Sequence, residues 1–304
     1  MSTPIPREHG GRGTTDTNPR ARLLAGLPVD ERRLVLAGIP TAVLDGGTGS
    51  PLVLLHGPGE SAAKWLRVIP ELVKTHHVIA PDLPGHGSSG GSEDALDADQ
   101  VLAWVGDLIG HTCPSPPILL GHVVGGAIAA RFAARHGDRI ERLVLVDSLG
   151  LAPFRPTPRF ALAMVQYLAR PTERTYDRFM RQCSYDLDAL RRQLGDRWEP
   201  FVAYNLRGAR PPGSRAVSRL IRAFGLPRIP PEDLARIAVP TTLIWGRHDR
   251  ANRLRIAERA SARHGWPLHI VEDCADDPAR DQPRAFLEAL HLALASTPLQ
   301  EAVR

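Results

Sequence analysis

Apolar positions along this chain follow two rhythms. At both ends, short runs rich in Val, Leu and Ile alternate with longer stretches of helical spacing. The short runs predict strands over residues 33–37, 41–44, 52–55, 77–80, 117–120, 143–146, 241–245 and 268–271. The longer stretches predict helices over 62–74, 98–110, 124–135, 251–264 and 283–295. Strands separated by helical stretches imply βαβ units and a mostly parallel sheet. The first two strands are too close for a crossover helix, so an antiparallel start is expected.

Between residues 151 and 234 the strand rhythm stops. Helical spacing takes over, broken by Pro171, Pro200, Pro211, Pro212, Pro230 and Pro231. This segment holds 10 of the 16 aromatic residues, including all four tyrosines. A helical cap lining a largely apolar pocket fits that concentration. The expected organisation is a tail and linker over 1–30, a core over 31–150 and 235–298, and a cap over 151–234. The first 20 residues are rich in Gly, Thr, Pro and Arg and have no apolar signal-peptide region. A disordered tail and a cytoplasmic protein are therefore expected.

Composition adds little until charge is placed along the chain. The net charge is +5, carried by 36 Arg and only two Lys, Lys64 and Lys74. The segment 151–234 has 15 Arg against 8 Asp plus Glu. A solvated helical surface accounts for most of this, with a weak pull on an anionic substrate as the sharper reading. No basic run or recognition motif points to nucleic acid. No apolar run is long enough to span a membrane. Cys113, Cys183 and Cys274 are widely spaced and read as free thiols. No dinucleotide fingerprint, phosphate loop or metal-ligand spacing is present, so neither cofactor nor metal is expected. The sequence carries no signal for oligomeric state.

Four stretches follow predicted strands. Leu54-Leu55-His56-Gly57-Pro58-Gly59 follows the third. Asp82-Leu83-Pro84-Gly85-His86-Gly87-Ser88 follows the fourth. Leu119-Leu120-Gly121-His122-Val123-Val124-Gly125-Gly126 joins the fifth to a helix, and Gly246-Arg247-His248-Asp249 follows the seventh. In this order and spacing they resemble the α/β-hydrolase superfamily, over roughly residues 33 to 295. The resemblance implies an α/β-hydrolase fold: a mostly parallel eight-stranded sheet, helices on both faces, and an inserted helical cap.

The family's elbow reads Gly-x-Ser-x-Gly, with the triad ordered Ser, Asp, His. The resemblance puts Val123 at the nucleophile position, where no lone pair is available for covalent chemistry. A β-branched residue also disfavours the positive φ of that turn, so either the elbow has relaxed or it carries strain. Asp249 matches the acid position, and Asp147, at the end of the sixth strand, is a second candidate. Pro278, Asp281 and Pro283 keep the frame around the family's histidine, and Asp276 occupies its place. One oxyanion donor would be the N–H of Val124. The other would come from Pro58, which has none. Losing one such donor typically costs about 10²–10³ in rate.

If Asp249 and Asp276 stand where Asp and His normally touch, they would share a proton, with one ionisation raised. Such a dyad can act as a general acid or base. His56 and His122 flank the expected pocket, most simply in supporting roles. Gly57, Glu60 and Ser61 belong to the oxyanion-type loop. Tyr167, Tyr176, Tyr185 and Tyr204 are available hydrogen-bond donors in the cap. Ser61 and Ser148 have no base at suitable spacing.

Three functions are compatible with these residues, each with a bulky apolar small molecule as partner. The first is non-hydrolytic catalysis: cyclisation or intramolecular C–C bond formation on a natural-product-like intermediate. Orienting such a substrate supplies much of the rate without covalent chemistry. The second is a non-catalytic ligand-binding protein. The third is a residual hydrolase in which Asp249 or Asp276 activates water. None is an ordinary serine hydrolase.

Overall fold

The structure, a computed structural model, describes residues 18–91 and 97–295. The strands are β1 (Asp30–Leu36), β2 (Ile39–Gly46), β3 (Ser50–Leu55), β4 (His76–Pro81), β5 (Ile118–His122), β6 (Arg142–Val146), β7 (Thr241–Gly246) and β8 (Leu268–Val271). They form one sheet in the order β1-β2-β4-β3-β5-β6-β7-β8. β1 pairs with β2, and β2 with β4, in antiparallel fashion; every other neighbour is parallel. The central strands β3, β5, β6 and β7 are buried almost throughout, which is why they read as continuous apolar runs.

Alternate residues of those strands feed two separate cores. Leu52, Leu54 and Leu120 pack with Trp65 and Phe286 on one face. Val53, Leu55 and Leu119 pack with Trp104, Phe132 and Trp245 on the other. The parallel connections bring the C-terminal ends of β3 to β8 to one edge, the edge where ligands bind in open α/β sheets.

Helices Ala98–Thr112, Val124–His136 and Pro283–Ala295 lie where the spacing predicts. Two predicted helices differ. The stretch 62–74 is a 3₁₀ helix at Ala62–Arg67 and a short turn at Ile69–Leu72, divided at Val68. Pro70 supplies no N–H and constrains the residue before it, so one continuous helix cannot run through. The helix expected from 251 begins at Arg255, because the backbone N–H groups of Ala251 and Asn252 donate to the Asp249 carboxylate instead.

Residues 18–30, expected as tail and linker, are ordered. Asn18 caps a helix at Pro19–Leu24. From it, Arg20 bonds Glu31 at 2.6 Å, Asp82 at 2.9 Å and the Tyr204 hydroxyl at 2.8 Å. Arg22 pairs with Glu199 at 2.6 Å. The apolar Leu23 on the same short helix is buried against the cap core, and this packing orders the segment. Residues 1–17 of the expected tail, and 296–298 of the expected core, lie outside the described residues.

The segment 151–234 folds into helices at Pro158–Ala169, Glu173–Cys183, Leu187–Leu194, Trp198–Gly208 and Gly213–Leu220. Thr172 closes a capping box with Thr175. Aromatic rings fill the interior: Tyr167 stacks on Phe179 at 5.4 Å, and Phe160 meets Phe179 edge-on at 5.5 Å. Among the described residues, no helix is long and apolar enough to cross a membrane.

Candidate functional site

The turn between β5 and the helix Val124–His136 holds Val123 at φ 51°, ψ −108°. The elbow has not relaxed. Its N–H donates to Val146 and its carbonyl accepts from Leu149, both at 3.0 Å, which fixes the conformation from β6. Glycine at 125 is needed here, since a Cβ would press on the carbonyls of Leu55 and His56 at 2.5 and 2.6 Å. A β-branched residue at this φ costs on the order of 1–3 kcal/mol.

Above the elbow lies a cavity of about 370 Å³. The core contributes Pro58, Glu60, Ser61, Lys64, His122, Val123, Asp276 and Arg280 to its wall. The cap contributes Phe160, Tyr167, Tyr176, Phe179, Phe201 and Tyr204, among others. Of the residues singled out in the sequence, Val123, Pro58, Glu60, Ser61, His122, Tyr167, Tyr176 and Asp276 thus converge on one space. His56, Gly57, Val124, Asp147 and Asp249 do not line it.

Those outside have structural partners. His56 accepts from the Leu83 N–H at 2.9 Å and faces the Gly57 carbonyl at 2.7 Å. Burial lowers its pKa to about 4, so it is neutral. Gly57 donates its N–H to Glu60 at 2.8 Å. Val124 is fully buried in the elbow helix. Tyr185 is 45% exposed and does not line the cavity. Ser148 donates to the Leu149 carbonyl at 2.9 Å.

The expected Asp249–Asp276 dyad is not formed; Asp249 couples to Asp147 instead. Both side chains are buried at the ends of β6 and β7. Burial and Asp249 raise the Asp147 carboxyl well above the usual range. Burial raises Asp249 to about 6, opposed by its bonds from the Asn252 and Ala251 N–H groups. Both carboxyls are thus pushed toward the acid form. The Asp249 Oδ1 is fixed by those two N–H groups, each at 2.7 Å.

Asp276 instead heads a second cluster. Its carboxyl faces the Arg280 guanidinium at 3.4 Å, and its backbone carbonyl meets His122 Nε2 at 2.7 Å. Burial raises its pKa well above the carboxylate range. Arg280 opposes this, while the charges of Asp249 and Asp277 add to it. Behind it, Arg280 pairs with Asp277 at 3.1 Å, and Asp277 with Lys64 at 3.1 Å. Lys64 Nζ touches His122 Nδ1 at 2.7 Å. Burial would raise Glu60, but Lys64, His122 and Arg280 outweigh it and hold that carboxylate ionised.

Lys64, Asp277 and Arg280 were not singled out by sequence. The available signals were that Lys64 is one of two lysines, and that Arg280 stands four residues after Asp276 on a helical frame.

This elbow, sheet order and cap define an α/β hydrolase. Residues 52–289 match the Alpha/beta hydrolase family, and the chain belongs to it. It is similar to a 2-hydroxymuconate semialdehyde hydrolase of Pseudomonas sp. (strain CF600), 41% identical over 127 residues, which are 40% of this chain and 44% of that protein. The match therefore spans less than half the length of that relative. A 2-hydroxy-6-oxo-2,4-heptadienoate hydrolase of Pseudomonas putida is 30% identical over 298 residues, covering 87% of this chain and 96% of that protein. Among solved structures, a 2-hydroxy-6-oxo-6-phenylhexa-2,4-dienoate hydrolase from Rhodococcus sp. strain RHA1 superimposes with a TM-score of 0.76. It shares 22% identity, over 88% of this chain and 99% of that one, a likeness of fold.

Proposed function

We propose that this chain acts on a bulky, largely apolar carbonyl compound by proton transfer from Asp276, with no covalent intermediate at position 123. The observation that carries this reading is the Asp276 carboxyl in the wall of an apolar cavity, where burial pushes its pKa well up despite Arg280. A neutral carboxyl is a hydrogen-bond and proton donor. It offers a substrate oxygen what Pro58, lacking an N–H, does not.

Hydrolysis is the favoured reaction, because the relatives are named hydrolases of an aldehyde and an oxo acid. Asp276 gives its proton to the carbonyl oxygen as water adds to the carbon. Arg280, 3.4 Å away, stabilises the carboxylate left behind. The carboxylate then recovers a proton from the added water, giving a neutral tetrahedral adduct. As its C=O re-forms and the bond to the leaving group breaks, Asp276 gives that proton to the leaving atom and takes up the adduct's hydroxyl proton, ending in its acid form. Cyclisation needs the same donor and a folded substrate, and the aromatic cap wall is the feature that supports it.

The test combines a serine-directed fluorophosphonate probe with turnover of aryl esters and conjugated diketones in ¹⁸O-water. The wild type remains unlabelled, and Asp276→Asn lowers kcat by about 10²–10⁴. Product bearing ¹⁸O marks hydrolysis; unlabelled cyclic product marks ring closure. Labelling at Ser61 or Ser148, or full activity in Asp276→Asn, overturns the mechanism.

A further inference from the structure

A second and larger hollow, about 760 Å³, opens between the loop after β4 and the cap helices Trp198–Gly208 and Gly213–Leu220. It adjoins the apolar cavity: Gly59, Glu60, Tyr204, Asn205 and Val217 line both. Their characters differ. Among the described residues, five arginines line this hollow, Arg20, Arg207, Arg210, Arg215 and Arg219, against one carboxylate, Glu60; Arg20 is itself paired with Glu31 and Asp82. That carboxylate is already answered from behind by Lys64, at 3.7 Å, and Arg280, at 3.6 Å.

Most of this charge comes from one stretch of the sequence. From 200 to 231 it carries six arginines and no Asp or Glu. Arg207 ends one helix, Arg210 lies in the following turn and Arg215 opens the next helix. All three are exposed, and none makes an ion pair among the described residues. Elsewhere on the cap the pattern is the opposite: Arg181 and Arg191 are each paired with Asp177 and Asp188. Arg20 adds a second observation. Its guanidinium is buried, yet its Nη2 has no hydrogen-bond acceptor.

We propose that this hollow binds the anionic head group, phosphate or carboxylate, of an amphiphile whose apolar body occupies the adjoining cavity. The inference rests on the function proposed above only in taking that cavity as the seat of an apolar body. Guanidinium forks match the planar and tetrahedral oxygens of both anions and are weakly hydrated, so an anion displaces little bound water. Unpaired like charges around one concave space also raise the local concentration of anions. Their attraction falls with salt.

Titration calorimetry of the full chain with octyl phosphate, nonanoate and 1-octanol tests this. At low salt, octyl phosphate binds about tenfold tighter than octanol, as roughly 1.4 kcal/mol from three unpaired charges requires. The preference shrinks as salt rises. The triple variant Arg207→Gln/Arg210→Gln/Arg215→Gln brings octyl phosphate to within about twofold of octanol and leaves octanol unchanged. Nonanoate matching octyl phosphate identifies a carboxylate as sufficient; weaker nonanoate binding identifies phosphate. Equal affinity for octanol and octyl phosphate in the wild type overturns the anion site while sparing the apolar cavity. So does a preference that survives the triple variant. A head-group preference with no octanol binding keeps the anion site and removes the cavity reading instead.

Discussion

Two groups of buried carboxyls stand within the same fold and meet opposite fates. Asp147 and Asp249 close the ends of β6 and β7, hold loop N–H groups and do not line the cavity. Asp276 is also buried, though less deeply, and opens into the cavity beside a guanidinium. Burial raises all three. A raised pKa alone therefore does not mark chemistry; access to a substrate and a partner for the conjugate base do.

The largest effect that sharpens this contrast is on turnover. Asp147→Asn retains activity within about threefold, against the loss of about 10²–10⁴ for Asp276→Asn. Comparable losses in both variants, in folded protein, erase the distinction. The wild-type rate also falls as pH rises through the raised Asp276 pKa, because the acid form is the donor.

Stability comes next. Lys64→Met leaves buried Asp277 and Glu60 with Arg280 as their remaining cation and lowers unfolding free energy by at most about 3 kcal/mol. Denaturant titration reads this loss. Lys64→Arg, which keeps the charge, recovers most of it.

The Asp147–Asp249 pair carries a smaller, pH-dependent contribution. Asp249 is raised from its ordinary 3.8 to about 6, so the folded state holds its proton more tightly than the unfolded chain. Its contribution is complete below about 3.8 and is lost as pH rises through about 6. Melting temperatures between pH 4 and 7 show this decline, and Asp249→Asn, which removes the titrating carboxyl, flattens it. An unchanged slope in that variant shows that Asp249 is not the group responsible. The smallest effect is at the elbow. Val123→Ala removes the β-branch at positive φ and stabilises the protein by less than about 1 kcal/mol, since lost packing offsets the relief.

The fold was legible because its strands are apolar on both faces and its turns carry glycine at fixed places. Gly125 is demanded by contact with the carbonyls after β3, a requirement that spacing alone transmits. That Val123, Pro58 and Asp276 fall together in the wall of the cavity was legible for the same reason. The electrostatic wiring was not. Asp249 and Asp276 lie 27 positions apart on separate loops, and which carboxyl turned to which partner depended on two backbone N–H groups after β7 and on Lys64, 213 positions before Asp277. The Pro19–Leu24 helix was illegible because its order comes from cap and core contacts rather than from its own six residues.

That helix has a mechanical consequence. Arg20 holds Asp82 of the core and Tyr204 of the cap at once, while Arg22 holds Glu199 one turn earlier on the same cap helix. The Pro19–Leu24 helix is thus pinned across the seam between lid and body. A swing of the Trp198–Gly208 helix away from the core would have to break these contacts, at residues that never touch the elbow.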